Sequence, residues 1–252
     1  MTLTSEMGIK LAKVARLATR PIWRHGLLHG VAATIEHLPL AKLVTPNTVI
    51  DIGANKGQFS LFAREAWPRC QVIAFEPLPG PAAKYRKVFA RIPEVKLFQA
   101  AVGSEAGPME IHLSEREDSS SLLPIAERMT GIFPEARSAG RTITVQAGPL
   151  DRFIGAEELR GRVLLKLDVQ GFELEALKGC EPYLGQVEHV YVECSYVELY
   201  RGQALIGEVT DFLNERGFTL LAEINLVAKS GVGKVQSDCL FSRLADAGQE
   251  GR

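Results

Sequence analysis

A glycine-punctuated turn within residues 49–58, VIDIGANKGQ, carries the residue types best suited to chemistry in this chain. The apolar run before it is typical of a strand buried on both faces, with Asp51 near its end. Gly53 and Gly57 permit positive φ and a close approach of the backbone to a ligand, and the amides that open the next helix point at whatever lies there. The spacing Asp51-x-Gly53-x-Asn55-x-Gly57 therefore predicts a cradle for a nucleotide-type cofactor.

Three further acids follow apolar segments at points where strands of a parallel sheet would end. Glu76 comes about twenty residues after the first glycine, where a carboxylate can accept hydrogen bonds from both ribose hydroxyls of a nucleoside. Asp168 closes the run VLLKLD, in which period-two alternation places Lys166 on the same side, and Glu193 ends the next strand. Ligands bind outside the carboxyl ends of the strands in an open parallel sheet, so these acids and Asp51 are expected to lie along one rim.

The spacing of the turn distinguishes two kinds of nucleotide-cofactor site. A dinucleotide site needs G-x-G-x-x-G, which this turn does not supply. The turn resembles the first motif of class I S-adenosylmethionine-dependent methyltransferases, D-x-G-x-G-x-G, with Asn55 in place of the middle glycine. The segment DIGANKGQFS, together with AFEPLP at 74–79 and LKLDVQGFELEALKG at 165–179, resembles sequences of the FkbM family of methyltransferases. The resemblance covers residues 45 to 243.

This resemblance implies an α/β fold of the Rossmann-like class I methyltransferase type. Its seven-stranded, mostly parallel sheet carries helices on both faces and ends in a hairpin with one antiparallel strand, expected over 218–224 and 235–242. The expected divisions are an N-terminal helical extension (1–46), a methyltransferase domain (47–244) with an inserted lid at about 114–140, and a frayed tail (245–252).

Local patterns predict several further elements. A single strand is expected over 95–102, and alternating residues predict strands over 107–113 and 141–147. Pro21 is expected to open a helix that runs to His37. Asp151 is predicted to cap a short helix.

The resemblance also implies roles for individual residues. The residues expected to bind S-adenosylmethionine are Asp51, Gly53, Asn55, Gly57, Glu76, Ala101 and Asp168. The candidates for catalysis are Asp168, Glu193 and Lys166. Ser120 and Ser121, in the stretch SSSLL, are candidates for contact with the acceptor, although helix-capping serines in a mobile surface loop explain them equally well.

Asp168 and Glu193 leave two chemical roles open. A methyl group on a sulfonium is already activated, so the enzyme mainly aligns the nucleophile and removes its proton. On neighbouring strands, the two carboxylates could provide the base, or they could hold one divalent cation such as magnesium or calcium. Alternatively, Asp168 anchors the amino group of the cofactor and Glu193 pairs with Lys166 across the strands.

The predicted function is an S-adenosylmethionine-dependent O-methyltransferase, which by resemblance acts on a hydroxyl of a sugar, glycan or secondary metabolite. One alternative is an NAD(P)-binding dehydrogenase on the same type of sheet, which the glycine spacing disfavours. Another is a non-catalytic scaffold that keeps the cofactor, which the intact acids at the rim disfavour. Binding assays with both cofactors and a turnover assay separate the three.

Composition narrows the possible partners and compartment. With 29 basic and 30 acidic residues the formal net charge is −1, so no overall field attracts nucleic acid, and none is expected as a partner. Four widely spaced cysteines form no C-x-x-C pair, which indicates reduced thiols in the cytoplasm. No apolar run approaches the ~20 residues needed to span a bilayer, so a soluble, cytoplasmic protein is expected. The sequence does not indicate an oligomeric state.

Residues 1–24 form a basic amphipathic pattern, with five Lys and Arg residues against the single acid Glu6. Such a helix could lie on an anionic membrane surface near a lipid-linked acceptor. More often it covers the edge of its own fold, and this covering role is the one expected here.

Overall fold

The computed structural model describes residues 19–244. The predicted tail and most of the predicted basic helix over residues 1–24 lie outside the described residues. The strands are β1 (Thr48–Ile52), β2 (Gln71–Phe75), β3 (Val95–Phe98), β4 (Ala101–Val102), β5 (Gly107–Ser114), β6 (Ser138–Gly148), β7 (Val163–Leu167), β8 (Val187–Ser195), β9 (Phe218–Lys229) and β10 (Gly233–Arg243). The helices are α1 (Pro21–Leu28), α2 (Gln58–Ala66), α3 (Pro79–Phe89), α4 (Glu127–Ile132), α5 (Glu173–Gly179), α6 (Glu181–Leu184) and α7 (Ile206–Asn214).

Seven strands form the main sheet, in the order β3-β2-β1-β7-β8-β10-β9. The pairs among β3, β2, β1, β7 and β8 are parallel, whereas β10 runs antiparallel to both β8 and β9. This confirms the predicted Rossmann-like class I methyltransferase fold, including the closing hairpin. The order also brings the carboxyl ends of β2, β1, β7 and β8 side by side, where the predicted acids stand.

Alternating residues of the central strands supply two separate cores. All five residues of β1 are buried, as are all five of β7. Val49 and Leu164 pack with α2 and α3 on one face, whereas Ile50 and Leu165 pack with α5 and α7 on the other. Most residues of these strands are apolar because helices cover both faces of the sheet, and the buried exceptions are Thr48, Asp51 and Lys166.

The predicted strand over 95–102 is wrong in one respect: it is two strands in two sheets. β3 stays in the main sheet beside β2, whereas β4 leaves it and pairs in parallel with β6. The predicted strands over 107–113 and 141–147 correspond to β5 and β6, which pair antiparallel, so the second sheet has the order β4-β6-β5. Ala101 therefore belongs to the small sheet rather than to the main sheet.

The predicted helix from Pro21 to His37 is also shorter than expected. It ends at Leu28, because the amides of His29 and Val31 both bond back to the carbonyl of Gly26 and Gly30 takes φ +69°. The chain continues through single 3₁₀ turns over Ile35–His37 and Leu40–Lys42.

Helix α1 itself packs on α2. The indole of Trp23 donates to the carbonyl of Leu61 over 3.0 Å, and a Cβ added to Gly26 would lie 2.4 Å from the Leu61 side chain. Residues 19–46 therefore cover one face of the main domain. Within residues 19–244, no helix is both long and apolar enough to cross a membrane.

Asp151 does not cap a helix. It lies inside the 3₁₀ turn Leu150–Arg152, and the N-cap position is Pro149, whose backbone is extended. The turn therefore begins two residues earlier than predicted, directly after Pro149.

Candidate active site

A cavity of about 400 Å³ opens at the carboxyl ends of β1, β2, β7 and β8. Cavities of this size bind small ligands and cofactors. Of the predicted rim acids, Glu76, Asp168 and Glu193 line it. Segment 114–140, the predicted lid, and the turn that contains His37 complete its walls.

Glu76 ends β2 beside the glycine turn and organises the backbone there. Its Oε2 accepts a hydrogen bond from the amide of Asn55 over 2.8 Å, and its Oε1 accepts one from the amide of Leu78 over 2.7 Å. Burial raises the pKa of this carboxyl to about 7, against the pull of the two amides. The two amide hydrogen bonds therefore compensate only part of the cost of burying the Glu76 carboxylate, which lines the cavity.

Asn55 takes φ +48°, in the left-handed region that asparagine tolerates better than most residues. Its Oδ1 is buried and has no hydrogen-bond partner among residues 19–244, and the same holds for Thr34 Oγ1. Both residues line the cavity. Buried polar atoms without partners are costly, so these two oxygens indicate a ligand with hydrogen-bond donors.

The two glycines of the turn serve backbone packing more than the ligand. Gly53 has φ +78°, and a Cβ there would lie 1.9 Å from the carbonyl oxygen of Asp168. Gly57 has φ +97°, and a Cβ there would meet the ring of Phe89 at 2.4 Å. Gly57 therefore faces α3 rather than the cavity, whereas Gly53 lines the cavity and needs its small size for the loop that follows β7.

Asp51 is the one predicted rim acid that lies behind the cavity wall. It is 0% exposed, with Oδ1 3.0 Å from Lys166 Nζ and Oδ2 accepting from Ser60 Oγ over 2.8 Å. Tyr85 donates to Ser60 in turn, over 2.9 Å. Asp51 does not line the cavity, and its expected contact with a cofactor stays a prediction.

Lys166 is held in the same buried group. Its Nζ also donates to the carbonyl of Gly53 over 3.1 Å and lies 3.8 Å from Asp168 Oδ2. Burial opposes the charge of Lys166, but the carboxylates of Asp51 and Asp168 outweigh it, so its pKa lies above the usual value. A permanently charged ammonium cannot accept a proton.

Asp168 and Glu193 do meet at the rim, but an amide stands between them. Gln170 Nε2 donates to Asp168 Oδ1 over 2.8 Å and lies 3.4 Å from Glu193 Oε2. Glu193 Oε1 accepts from Gln236 over 2.6 Å, so the expected pairing of Glu193 with Lys166 is wrong. Burial and the nearby charge of Asp168 raise the pKa of Glu193 well above its usual range.

This arrangement does not suit a divalent cation. The positive end of the Gln170 amide occupies the space between the two carboxylates that a cation would share. Residues 19–244 also contain no group of three or more His, Cys, Asp or Glu side chains placed to hold a metal ion.

Ala101, Ser120 and Ser121 all line the cavity. Ser121 Oγ donates to the carbonyl of Gln170 over 2.6 Å, and Ser120 Oγ accepts from the amide of Ser114 over 3.1 Å. Both hydroxyls therefore hold segment 114–140 in place, and their contact with the acceptor stays a prediction.

Sequence reasoning missed three residues of this cavity. Gln170, at φ +57°, joins both acids, and its Oε1 accepts from Tyr200 over 2.9 Å. Thr34 and His37 come from the N-terminal segment, in the stretch GVAATIEH that resembles the helical lead-in of the family. Thr34 and His37 are seen to border the site only in the folded structure, which places them beside the glycine turn. No local sequence pattern indicates this position.

A model of the FkbM methyltransferase domain matches residues 51–220, more than half of the chain. The chain is 28% identical over 181 residues to the 2-O-methyltransferase NoeI of Sinorhizobium fredii, covering 69% of this chain and 73% of that protein. It is 30% identical over 210 residues to the 31-O-demethyl-FK506 methyltransferase FkbM of Streptomyces tacrolimicus, covering 70% and 74%. It is 25% identical over 191 residues to the hexuronic acid methyltransferase AglP of Haloferax volcanii, covering 76% and 73%. The chain belongs to the FkbM family and is an S-adenosylmethionine-dependent methyltransferase.

Proposed function

We propose that this enzyme transfers a methyl group from S-adenosylmethionine to a hydroxyl oxygen of a small-molecule or glycan acceptor. The observation that carries the proposal is the meeting of Glu76, Asp168 and the unpartnered oxygen of Asn55 around one cavity. These groups offer acceptors for the hydroxyl and amino donors of the cofactor. The bound sulfonium supplies a methyl group that is already activated for transfer to a nucleophile.

Each part of the cofactor has a chemically matched group in the cavity. Glu76, at the end of β2, is proposed to accept hydrogen bonds from the ribose hydroxyls. Ala101 and its apolar neighbours Ala100 and Val102 offer a wall for the adenine ring. Asp168, whose side chain is 43% exposed, is proposed to hold the ammonium group. Asn55 Oδ1 is left to accept from the remaining donors.

Charge separates the roles of Lys166 and Glu193, two of the candidates for catalysis. Lys166 is proposed as a positioning residue, because its ammonium holds the carbonyl of Gly53 and with it the turn. Burial raises the pKa of Glu193, which favours its protonated form and suits it to donating a hydrogen bond. No step of the proposal uses magnesium or another divalent ion, because the Gln170 amide separates the two carboxylates that would bind it.

The names of the relatives narrow the chemical class of the acceptor. One is named a 2-O-methyltransferase and another acts on 31-O-demethyl-FK506, so both names specify methylation of oxygen. A third is named for a hexuronic acid, a sugar. For this chain we propose a hydroxyl of a sugar or secondary metabolite, bound between the rim and the lid at 114–140 of a catalytic domain spanning 47–244.

A methyl-transfer assay tests this proposal. The full chain is incubated with S-adenosylmethionine labelled in the methyl group and a panel of methyl glycosides, methyl hexuronides and macrolide alcohols, with and without a chelator. The expected product carries the label on oxygen, and the rate is unchanged by the chelator. Label found only on nitrogen or carbon would contradict the proposed transfer to oxygen. Activity that is lost with the chelator and restored by a divalent ion would contradict a reaction without a metal.

A further inference from the structure

His37 lines the cavity and has no role in the chemistry described above. Its Nδ1 lies 2.9 Å from the hydroxyl of Tyr191 and 3.6 Å from Asp238 Oδ2. The ring packs edge-on against Phe59 and Tyr191, and the side chain is 13% exposed. Groups on β8, β10 and α2 thus hold the imidazole in one orientation at the cavity wall.

The partners of Nδ1 indicate which ring nitrogen carries the proton. Tyr191 has a single hydroxyl proton, which it donates to Asp238 Oδ2 over 3.0 Å, so its oxygen is left to accept from Nδ1–H. The nearby carboxylate favours the same placement. Asn225 Nδ2 also lies 3.4 Å from Nδ1, but its shorter contact, 2.7 Å, is to Asp238. With the proton on Nδ1, the lone pair that can accept a proton is on Nε2.

The surroundings keep this ring neutral at pH 7. Burial lowers the pKa of His37 below 6.5, and the charge of Lys166 on β7 acts in the same direction. Asp238 on β10, Glu36 in the same turn and Asp168 after β7 raise it, but they do not outweigh burial. An imidazole that is neutral near the working pH suits general base catalysis.

We infer that His37 is the catalytic base, with Tyr191 and Asp238 as the residues that position it. The inference rests on the proposed O-methyl transfer. The acceptor oxygen forms its bond to the methyl carbon as the carbon–sulfur bond breaks, and that electron pair stays on the sulfur. The hydroxyl proton passes to Nε2 of His37. Asp238 stabilises the resulting imidazolium through Tyr191, and the proton then leaves to water.

Nitrogen-15 NMR of the full chain with labelled histidine tests the state of His37 without any acceptor. The protein is saturated with S-adenosylhomocysteine, and the His37 signals are identified by their loss in His37→Gln. The expected spectrum at pH 7.5 shows a proton on Nδ1 and none on Nε2, with titration below pH 6.5. A proton on Nε2, or a ring that is still charged at pH 7.5, would overturn the inference.

Kinetics test the catalytic role, with the methyl glycoside of the panel that the wild-type enzyme methylates fastest. His37→Gln is expected to lower kcat by about 10²–10⁴-fold and to abolish the rise in rate with pH below 6.5. Tyr191→Phe should lower kcat by less and keep the rise, as expected of a positioning residue. The S-adenosylhomocysteine dissociation constant should be unchanged in His37→Gln.

His189→Gln is the matched control, because His189 is also partly buried, with a lowered pKa, but lies on β8 outside the cavity lining. Its kcat and pH profile should equal those of the wild type. A His37→Gln enzyme with wild-type kcat and pH profile would overturn the inference. If the wild-type chain methylates no member of the panel, that result counts against the proposed function, and the NMR result alone then decides the inference.

Discussion

Lys166 Nζ lies 3.0 Å from Asp51 Oδ1, and the two residues are register partners on the neighbouring central strands β7 and β1. Asp51 is 0% exposed and Lys166 is 4% exposed. The same ammonium donates to the carbonyl of Gly53, the first residue of the turn. This buried ion pair therefore joins the centre of the sheet to the wall of the cavity.

Replacing Lys166 by methionine should destabilise the fold strongly. The substitution strands the carboxylate of Asp51 without a counter-charge in the core, and breaking a buried pair in this way typically costs about 3–5 kcal/mol. Urea unfolding of the wild type and Lys166→Met measures the difference in their free energies of unfolding. Lys96→Met removes a pair with Glu158 in which the lysine is 51% exposed, and should cost less than about 1 kcal/mol. A Lys166→Met protein as stable as Lys96→Met would contradict the structural role of the pair.

Gly53→Ala is expected to disturb the loop after β7 rather than only the ligand site. At φ +78° an added Cβ would lie 1.9 Å from the carbonyl oxygen of Asp168, so one of the two loops must move. We expect a loss of more than about 2 kcal/mol, since left-handed strain alone costs roughly 1–2 kcal/mol. Thermal or urea unfolding measures it.

The matched glycine control is Gly207→Ala in α7, where an added Cβ meets nothing within 4 Å. In a helix this change should stabilise the protein by about 0.5–1 kcal/mol. Equal stability of the two variants would mean that the contact between Gly53 and Asp168 is not tightly packed.

Glu173 gives the fold a pH dependence. This buried carboxyl accepts from the amides of Val169 and Gly171, and burial raises its pKa to about 7, from an ordinary value of 4.5. Between these values the folded state keeps a proton that the unfolded state releases, so stability falls as pH rises. The contribution is on the order of 2–3 kcal/mol between pH 4.5 and 7.5, since one pKa unit is about 1.4 kcal/mol.

Glu173→Gln should remove that part of the pH dependence in urea unfolding at pH 5 and pH 8. The raised pKa of Glu76 also makes stability fall as pH rises, so the change in stability with pH in the wild type exceeds the part due to Glu173. The test is therefore the difference in this pH dependence between the wild type and Glu173→Gln. Glu175→Gln, on the same helix, serves as control because its pKa is lowered by Lys178 instead. An unchanged slope in Glu173→Gln would show that this carboxyl is ionised in the folded state.

Much of the fold could be predicted because its signals are local. The buried runs of β1 and β7, the acids after β2 and β7 and near the end of β8, and the closing hairpin are all visible as short patterns. Parallel topology then places the carboxyl ends together, which is why Glu76, Asp168 and Glu193 were found. The split of residues 95–102 between two sheets could not be predicted, because it depends on the pairing of Ala101 with Ala147.

The site was harder to predict where a residue's neighbours come from distant parts of the chain. Gly57 looks like part of the cofactor cradle in sequence, but the side chain that leaves no room for a Cβ there is the ring of Phe89 on α3. Asp51 looks like a cofactor ligand in sequence, but in the fold it pairs with Lys166 behind the cavity wall. His37 meets Tyr191 and Asp238, 154 residues and more away along the chain, so only the folded structure joins them.

Calorimetric titration of S-adenosylhomocysteine into the wild type and Glu76→Gln, at pH 8 where Glu76 is ionised, tests whether Glu76 binds the cofactor. We expect one binding site in the wild type and a loss of about 1.5–3 kcal/mol in the variant, or roughly 10- to 150-fold in affinity, because a charged acceptor of the ribose hydroxyls is removed. Glu94→Gln, at the opposite end of the sheet before β3, should bind like the wild type. Equal affinity in Glu76→Gln and the wild type would contradict the placement of the cofactor at this rim.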